Sequence, residues 1–120
     1  MEVPQQLRDQ VQRFENMRNN LEILVQQKRT LEQRAFISEK AIEELEKVEE
    51  DAVIYKIVGG GHGGIMVRVP KSRILPELKE NKEATELKIA TLEKQEARLR
   101  QQLEEMGAKI QAELKSRNMI

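Results

Sequence analysis

From Val3 to Ala52 the apolar residues fall on two interleaved series of positions, each member seven residues from the next. One series runs Leu7, Phe14, Leu21, Lys28, Ala35, Ile42 and Glu49. The other runs Val3, Gln10, Met17, Leu24, Leu31, Ser38, Leu45 and Ala52. Alternating steps of three and four make a narrow apolar seam, the mark of a coiled-coil helix rather than of the broad face a globular helix presents. The pattern predicts a first helix over 3–51, roughly 70 Å long at about 1.5 Å per residue.

The second half repeats the design. Leu75, Lys82, Ile89, Glu96, Leu103, Ile110 and Arg117 form one series, and Leu78, Thr85, Leu92, Leu99, Met106, Glu113 and Ile120 the other, predicting a second helix over 72–118. Its start has two readings: Ser72 offers an N-cap, and Pro76 equally suits the first helical position, with Leu75 left outside. Between the helices, over 52–70, the β-branched runs Val53–Val58 and Ile65–Val69 flank Gly59-Gly60-Gly61-His62-Gly63-Gly64. That is a β-hairpin signal, with Pro70 closing the second strand and a loop longer than a tight turn needs.

If the helices fold back on each other, partner positions must add to a constant. A total of 123 pairs Met17 with Met106, Leu24 with Leu99, Leu31 with Leu92, Ser38 with Thr85 and Leu45 with Leu78. A total of 124 pairs Phe14 with Ile110, Leu21 with Leu103, Lys28 with Glu96, Ala35 with Ile89 and Ile42 with Lys82. Apolar meets apolar, most polar exceptions meet each other, and the pivot falls at His62 in the glycine loop. The expected fold is mostly α: one domain, a long antiparallel two-helix coiled coil joined by a β-hairpin. Lys28 opposite Glu96 is a polar layer of the kind that costs stability and specifies register.

Composition agrees and narrows the function. With two Phe, one Tyr and no Trp there is little bulk for a globular core, and 35% charged residues suit long solvated helices. The 21 basic and 21 acidic residues cancel, so no basic field draws nucleic acid or anionic lipid. No cysteine is present, no apolar run reaches membrane-spanning length, and the acidic start Met1-Glu2-Val3-Pro4 lacks the features of an export signal; a soluble, cytoplasmic protein is expected.

The candidate chemistry is slight. Gly59, Gly61 and Gly64 match the spacing of a dinucleotide-binding turn, but a strand follows where that motif opens a helix. His62 is the only histidine and stands among glycines, so no metal-ligand set forms around it. No nucleophile, base and orienting group can be named together, and no enzyme, catalytic residue, cofactor or metal is expected. Glu49-Glu50-Asp51 is expected to close the first helix, where the dipole disfavours it, either as a solvated acidic face or in contact with a basic patch on a partner.

Two regions are left unsatisfied. A lone hairpin is marginal in water, and this one carries apolar residues on both faces: Val53, Tyr55 and Ile57 on one, Ile54 and Val58 on the other, with Ile65, Val67 and Val69 sharing a face and Met66 between them. Its edges are guarded only by Lys56, Arg68 and Pro70, so strands from other subunits are expected to complete a barrel or sheet. At the chain ends, Val11 and Leu114 lie off the seam and Met119-Ile120 ends the chain, more apolar surface than two seam series can cover. Such residues suit weak, adaptable apolar contact, with Gly107 loosening the second helix beside them, and equally suit a terminus that simply frays.

These residues resemble the β-type subunits of the prefoldin family, along nearly the whole chain. The resemblance is carried by Val53-Ile54-Tyr55-Lys56-Ile57-Val58-Gly59 leading to Ile65-Met66-Val67-Arg68-Val69, by Leu87-Lys88-Ile89-Ala90-Thr91-Leu92-Glu93-Lys94-Gln95-Glu96, and by Val25-Gln26-Gln27-Lys28. The zero net charge and short uninterrupted form are similar to archaeal members. The resemblance implies an ATP-independent chaperone, a hexamer of two α-type and four β-type subunits. Its hairpins close a double β-barrel, and its coiled coils hold non-native proteins for transfer to a group II chaperonin. Carried onto this chain, it makes Val53, Ile54, Tyr55, Ile57, Val58, Ile65, Met66, Val67 and Val69 the assembly surface. Val3, Leu7, Val11, Phe14, Met106, Ile110, Leu114, Met119 and Ile120 become the client surface. The loop Gly60-Gly61-His62-Gly63-Gly64 is longer than the family's usual turn. The competing reading is a structural coiled-coil scaffold with fixed partners, which accounts for the heptads but not for a bare hairpin and bare chain ends together.

Overall fold

The computed structural model describes residues 3–118. The elements are α1 (Gln5–Lys47), β1 (Ile54–Val58), β2 (Ile65–Val69) and α2 (Lys71–Ser116). The described residues divide into two compact units: a terminal unit of residues 3–30 with 89–118, and a hairpin unit of residues 31–88.

In the terminal unit α1 and α2 run antiparallel. Phe14 lies beside Gly107 and Lys28 beside Glu96, so the partner number falls as the number on α1 rises. The core is Leu7, Leu21, Leu103 and Ile110, all members of the series that holds Lys28 and Glu96. The companion series (Gln10, Met17, Leu24, Leu92, Leu99 and Met106) is half-buried, as two helices alone can enclose only part of a seam. Leu7 is the most enclosed side chain, 2% exposed, and its burial contributes about 1.5–3 kcal/mol. The lysine and glutamate of the polar layer meet: Lys28 Nζ donates to Glu96 Oε2 at 2.9 Å, and Arg100 reaches the other carboxylate oxygen at 3.4 Å. α2 stops at Ser116, after which Asn118 takes the left-handed conformation (φ 56°) and its N–H returns to the Lys115 carbonyl, a helix-ending turn that asparagine tolerates.

In the hairpin unit α1 ends at Lys47, four residues before the end predicted for it at 51. Its last carbonyls are taken by a lysine from α2: Lys71 Nζ donates to Val48 O at 2.8 Å and Glu46 O at 3.4 Å. A cation at the negative end of the helix dipole stabilises the helix end there. Glu49, Glu50 and Asp51 therefore lie beyond the helix in an exposed turn, closed by Ala52 N–H to Glu49 O, and the dipole penalty expected of them does not arise. α2 begins directly after Pro70, whose carbonyl accepts from the N–H groups of Arg73 and Ile74, each at 3.1 Å. This decides between the two expected starts against both: Ser72 and Pro76 are inside the helix. Lacking an N–H, Pro76 forfeits the helical bond to Ser72 O, tolerable so close to the helix start. Ile74 is buried although it stands one position off the seam series, and Ile42 is the other buried residue of this unit.

The strands pair Ile54 with Val69, Tyr55 with Arg68, Lys56 with Val67, Ile57 with Met66 and Val58 with Ile65. Every pair adds to 123, the value obtained from the seam. The loop absorbs its extra length in a single 3-10 turn over Gly61–Gly63. Gly59 (φ 86°) and Gly61 (φ 72°) hold backbone conformations that a side chain would strain. A Cβ on Gly64 would stand 3.1 Å from Ile57 Cγ2, so this glycine lets the loop close over β1.

Candidate functional site

In an antiparallel pair, residues directly opposite share a face. The hairpin register therefore puts Ile54, Lys56, Val58, Ile65, Val67 and Val69 on one face and Tyr55, Ile57, Met66 and Arg68 on the other. The first face is tied to α2: Lys56 Nζ donates to Glu77 Oε1 at 2.6 Å, and Ile54, Lys56 and Val69 are half-buried. The hydrogen bond from Lys56, then its charge, holds the Glu77 carboxyl below the ordinary carboxylate range, with Arg73 adding to the effect against partial desolvation. The second face is bare. Ile57 is 68% and Met66 64% exposed, and Tyr55 is exposed beside them. Val53, Val58, Ile65 and Val67 are also open to solvent, so the apolar surface runs around the distal half of the hairpin. A two-stranded ribbon with this much exposed β-branched surface is marginal by itself, and among the described residues no third strand pairs with either edge.

The chain-end residues divide differently. Val11 is 40% exposed, and Val3, Phe14, Met106 and Leu114 are half-buried. Leu7 and Ile110 are closed into the seam, Ile110 at 9% exposed. Met119 and Ile120 lie outside the described residues. Phe14 is held by the glycine on the opposite helix: a Cβ on Gly107 would meet ring atom Cε2 at 3.4 Å and Cζ at 3.9 Å. The aromatic ring thus lies across the backbone of α2.

Beside the seam, Gln10, Arg13 and Met17 of α1 and Gln102, Glu105, Met106, Lys109 and Ile110 of α2 line an open groove of about 400 Å³. Met17 was legible only as a seam residue, and Arg13 and Lys109 carried no expectation at all. The signal was available, since each immediately precedes a seam residue of its own helix, Phe14 and Ile110. Among the described residues no group of three or more His, Cys, Asp or Glu could hold a metal ion, and no helix is long and apolar enough to cross a membrane.

The family model described as prefoldin subunit matches residues 8–117. The chain belongs to the prefoldin family. Prefoldins are chaperones, and this prefoldin chain is similar to two curated proteins named prefoldin subunit beta. That of Thermococcus onnurineus is 37% identical over 94% of both chains, and that of Thermococcus gammatolerans 40% identical over 94% of this chain and 93% of its own. Among solved structures, the prefoldin beta subunit from Thermococcus strain KS-1 superposes with a TM-score of 0.81 at 34% identity, covering 94% of this chain and 96% of that one. The exposed hairpin is therefore a feature of a prefoldin chain, with the same two-helix fold as its relatives.

Proposed function

We propose that this chain is the β-type subunit of a prefoldin hexamer with two α-type and four β-type chains. It acts as an ATP-independent holdase that binds non-native proteins at the chain-end unit and passes them to a group II chaperonin. The observation that carries the assembly half is the hairpin: strands with both edges unfilled and Ile57 and Met66 about two-thirds exposed, on a chain with no third strand among its described residues. Strands from neighbouring subunits close that surface into a barrel. The holding half is supported by membership of a chaperone family and by an apolar chain-end surface that includes Met17 and Met106, flexible side chains suited to varied partners.

The test is light scattering from a chemically denatured client diluted into buffer without ATP, with this chain and an α-type partner present. Suppressed scattering is the expected result. Full aggregation of the client, with the hexameric mass intact, would overturn the holdase reading and leave a structural scaffold in its place. Transfer is read separately, as recovery of client activity on addition of a group II chaperonin and ATP.

A further inference from the structure

While the helices of the terminal unit stay paired, much of its apolar surface is out of reach. Leu7 and Ile110 are enclosed, and Phe14 is laid against Gly107. At the groove, seam side chains of the half-buried companion series remain approachable: Met17 and Met106 are among its lining residues, with Ile110 at its floor. Its volume of about 400 Å³ lies at the lower end of the range for ligand clefts, enough for one large side chain and adjoining backbone.

The charge on its walls is unusual for a coiled coil. Positions flanking the seam commonly carry opposite charges that pair between helices. Here Arg13 and Lys109, one from each helix, flank the same groove, and among the described residues neither is paired with a carboxylate. Glu105 also lines the groove, with Oε1 accepting from Gln101 Nε2 at 3.4 Å, so the lining keeps two cations against one anion. A groove with an adaptable apolar lining and an excess of positive charge is complementary to an apolar group that brings a carboxylate with it.

We propose that this groove receives a segment of non-native protein in which a large apolar side chain is flanked by a carboxylate, with Arg13 and Lys109 selecting for that carboxylate. The inference rests on the holdase reading and names the class of segment held. Met17 and Met106 adapt to the shape of the apolar side chain. The planar Arg13 guanidinium matches a carboxylate with two hydrogen bonds, and Lys109 adds a mobile point charge.

The experiment uses the full chain in the assembly it forms and two fluorescein-labelled decapeptides. Each peptide has a pair of leucines, flanked by glutamates in one and by glutamines in the other. Fluorescence anisotropy is expected to show the glutamate peptide binding about three- to tenfold more tightly, the span of two partly exposed charge contacts. The preference is expected to vanish in Arg13→Gln/Lys109→Gln, whose two altered side chains are exposed, and in about 1 M salt, where screening acts within about 3 Å. Equal binding of the two peptides by the unaltered protein, or an unchanged preference in the double variant, overturns the inference. If neither peptide binds while a denatured client is still protected, this inference fails alone. If the client also aggregates fully, the holdase reading fails with it.

Discussion

Gly107→Ala probes whether the aromatic ring on the terminal unit lies where it is described. Gly107 is in the interior of α2, and its backbone is in no conformation that excludes a side chain. An added methyl would meet only Phe14, at 3.4 Å and 3.9 Å, which is ordinary van der Waals contact. Nothing else lies within 4 Å. The helix gains about 0.5–1 kcal/mol when alanine replaces glycine, because the unfolded chain loses conformational freedom. For a chain of this size that corresponds to a rise of about 2–4 °C in Tm, read by circular dichroism at 222 nm. Gly107→Val is the control: its branches must displace the Phe14 ring, and the Tm is expected to fall below that of the alanine variant. A lower Tm for Gly107→Ala than for the unaltered protein would refute the reasoning, since it would mean that the ring presses on α2 more closely than described. In a Phe14→Leu background the alanine gain is expected to persist, because it comes from the backbone rather than from the ring.

Four further outcomes are expected. Replacing both Lys28 and Glu96 by Leu should raise the Tm while loosening the helix register, read by disulfide trapping at neighbouring seam positions; an unchanged or lower Tm would count against a register role for the pair. The same pair sets a pH dependence: the Lys28 hydrogen bond, aided by the charges of Lys28 and Arg100 and opposed by desolvation, holds the Glu96 carboxyl below its ordinary value of 4.5. The stability it contributes is therefore complete above about 4.5 and is lost as pH falls through the lower folded value, so Lys28→Gln should flatten the acid limb of a Tm–pH curve; an unaltered limb would assign the loss to other carboxylates. Lys71→Gln removes the cation from the end of α1 and should cost about 0.3–1 kcal/mol, with faster amide exchange confined to the last turn before Lys47; uniform exchange along α1 would show that Lys71 does not act as the cap. Ile57→Asp/Met66→Asp on the bare hairpin face should lower the native mass in sedimentation while helix content is retained, and an intact assembly would move the subunit contact elsewhere.

The elements of this chain are legible because their signals are local and repetitive. A seam residue recurs every seven positions, and burial follows it through Leu7, Leu21 and Ile42 and through Leu103 and Ile110, since a helix turning every 3.6 residues returns those positions to one side. The hairpin register was likewise contained in the numbers: with no bulge in either strand, the sum that aligns the helices also aligns Ile54 with Val69. The boundaries were not contained there. The end of α1 is met by Lys71, more than 20 residues away, which donates to the carbonyls of Glu46 and Val48, and α2 starts from the Pro70 carbonyl rather than from either candidate cap.

The surfaces divide along the same line. That the hairpin is too apolar to stand alone follows from its residue types, but which face is bare follows from the Lys56–Glu77 bond that ties down the other. That the chain ends are rich in apolar residues is a fact of sequence, yet their accessibility is a property of packing. Leu7 and Val11 are one helical turn apart, and pairing of the helices covers the first and leaves the second open. Arg13 and Lys109 are unremarkable 96 positions apart in the chain and become the two walls of one groove only when the helices meet. Periodicity and residue type are written along one strand of sequence, whereas a contact between distant positions exists only once folding has spent the entropy to bring them together.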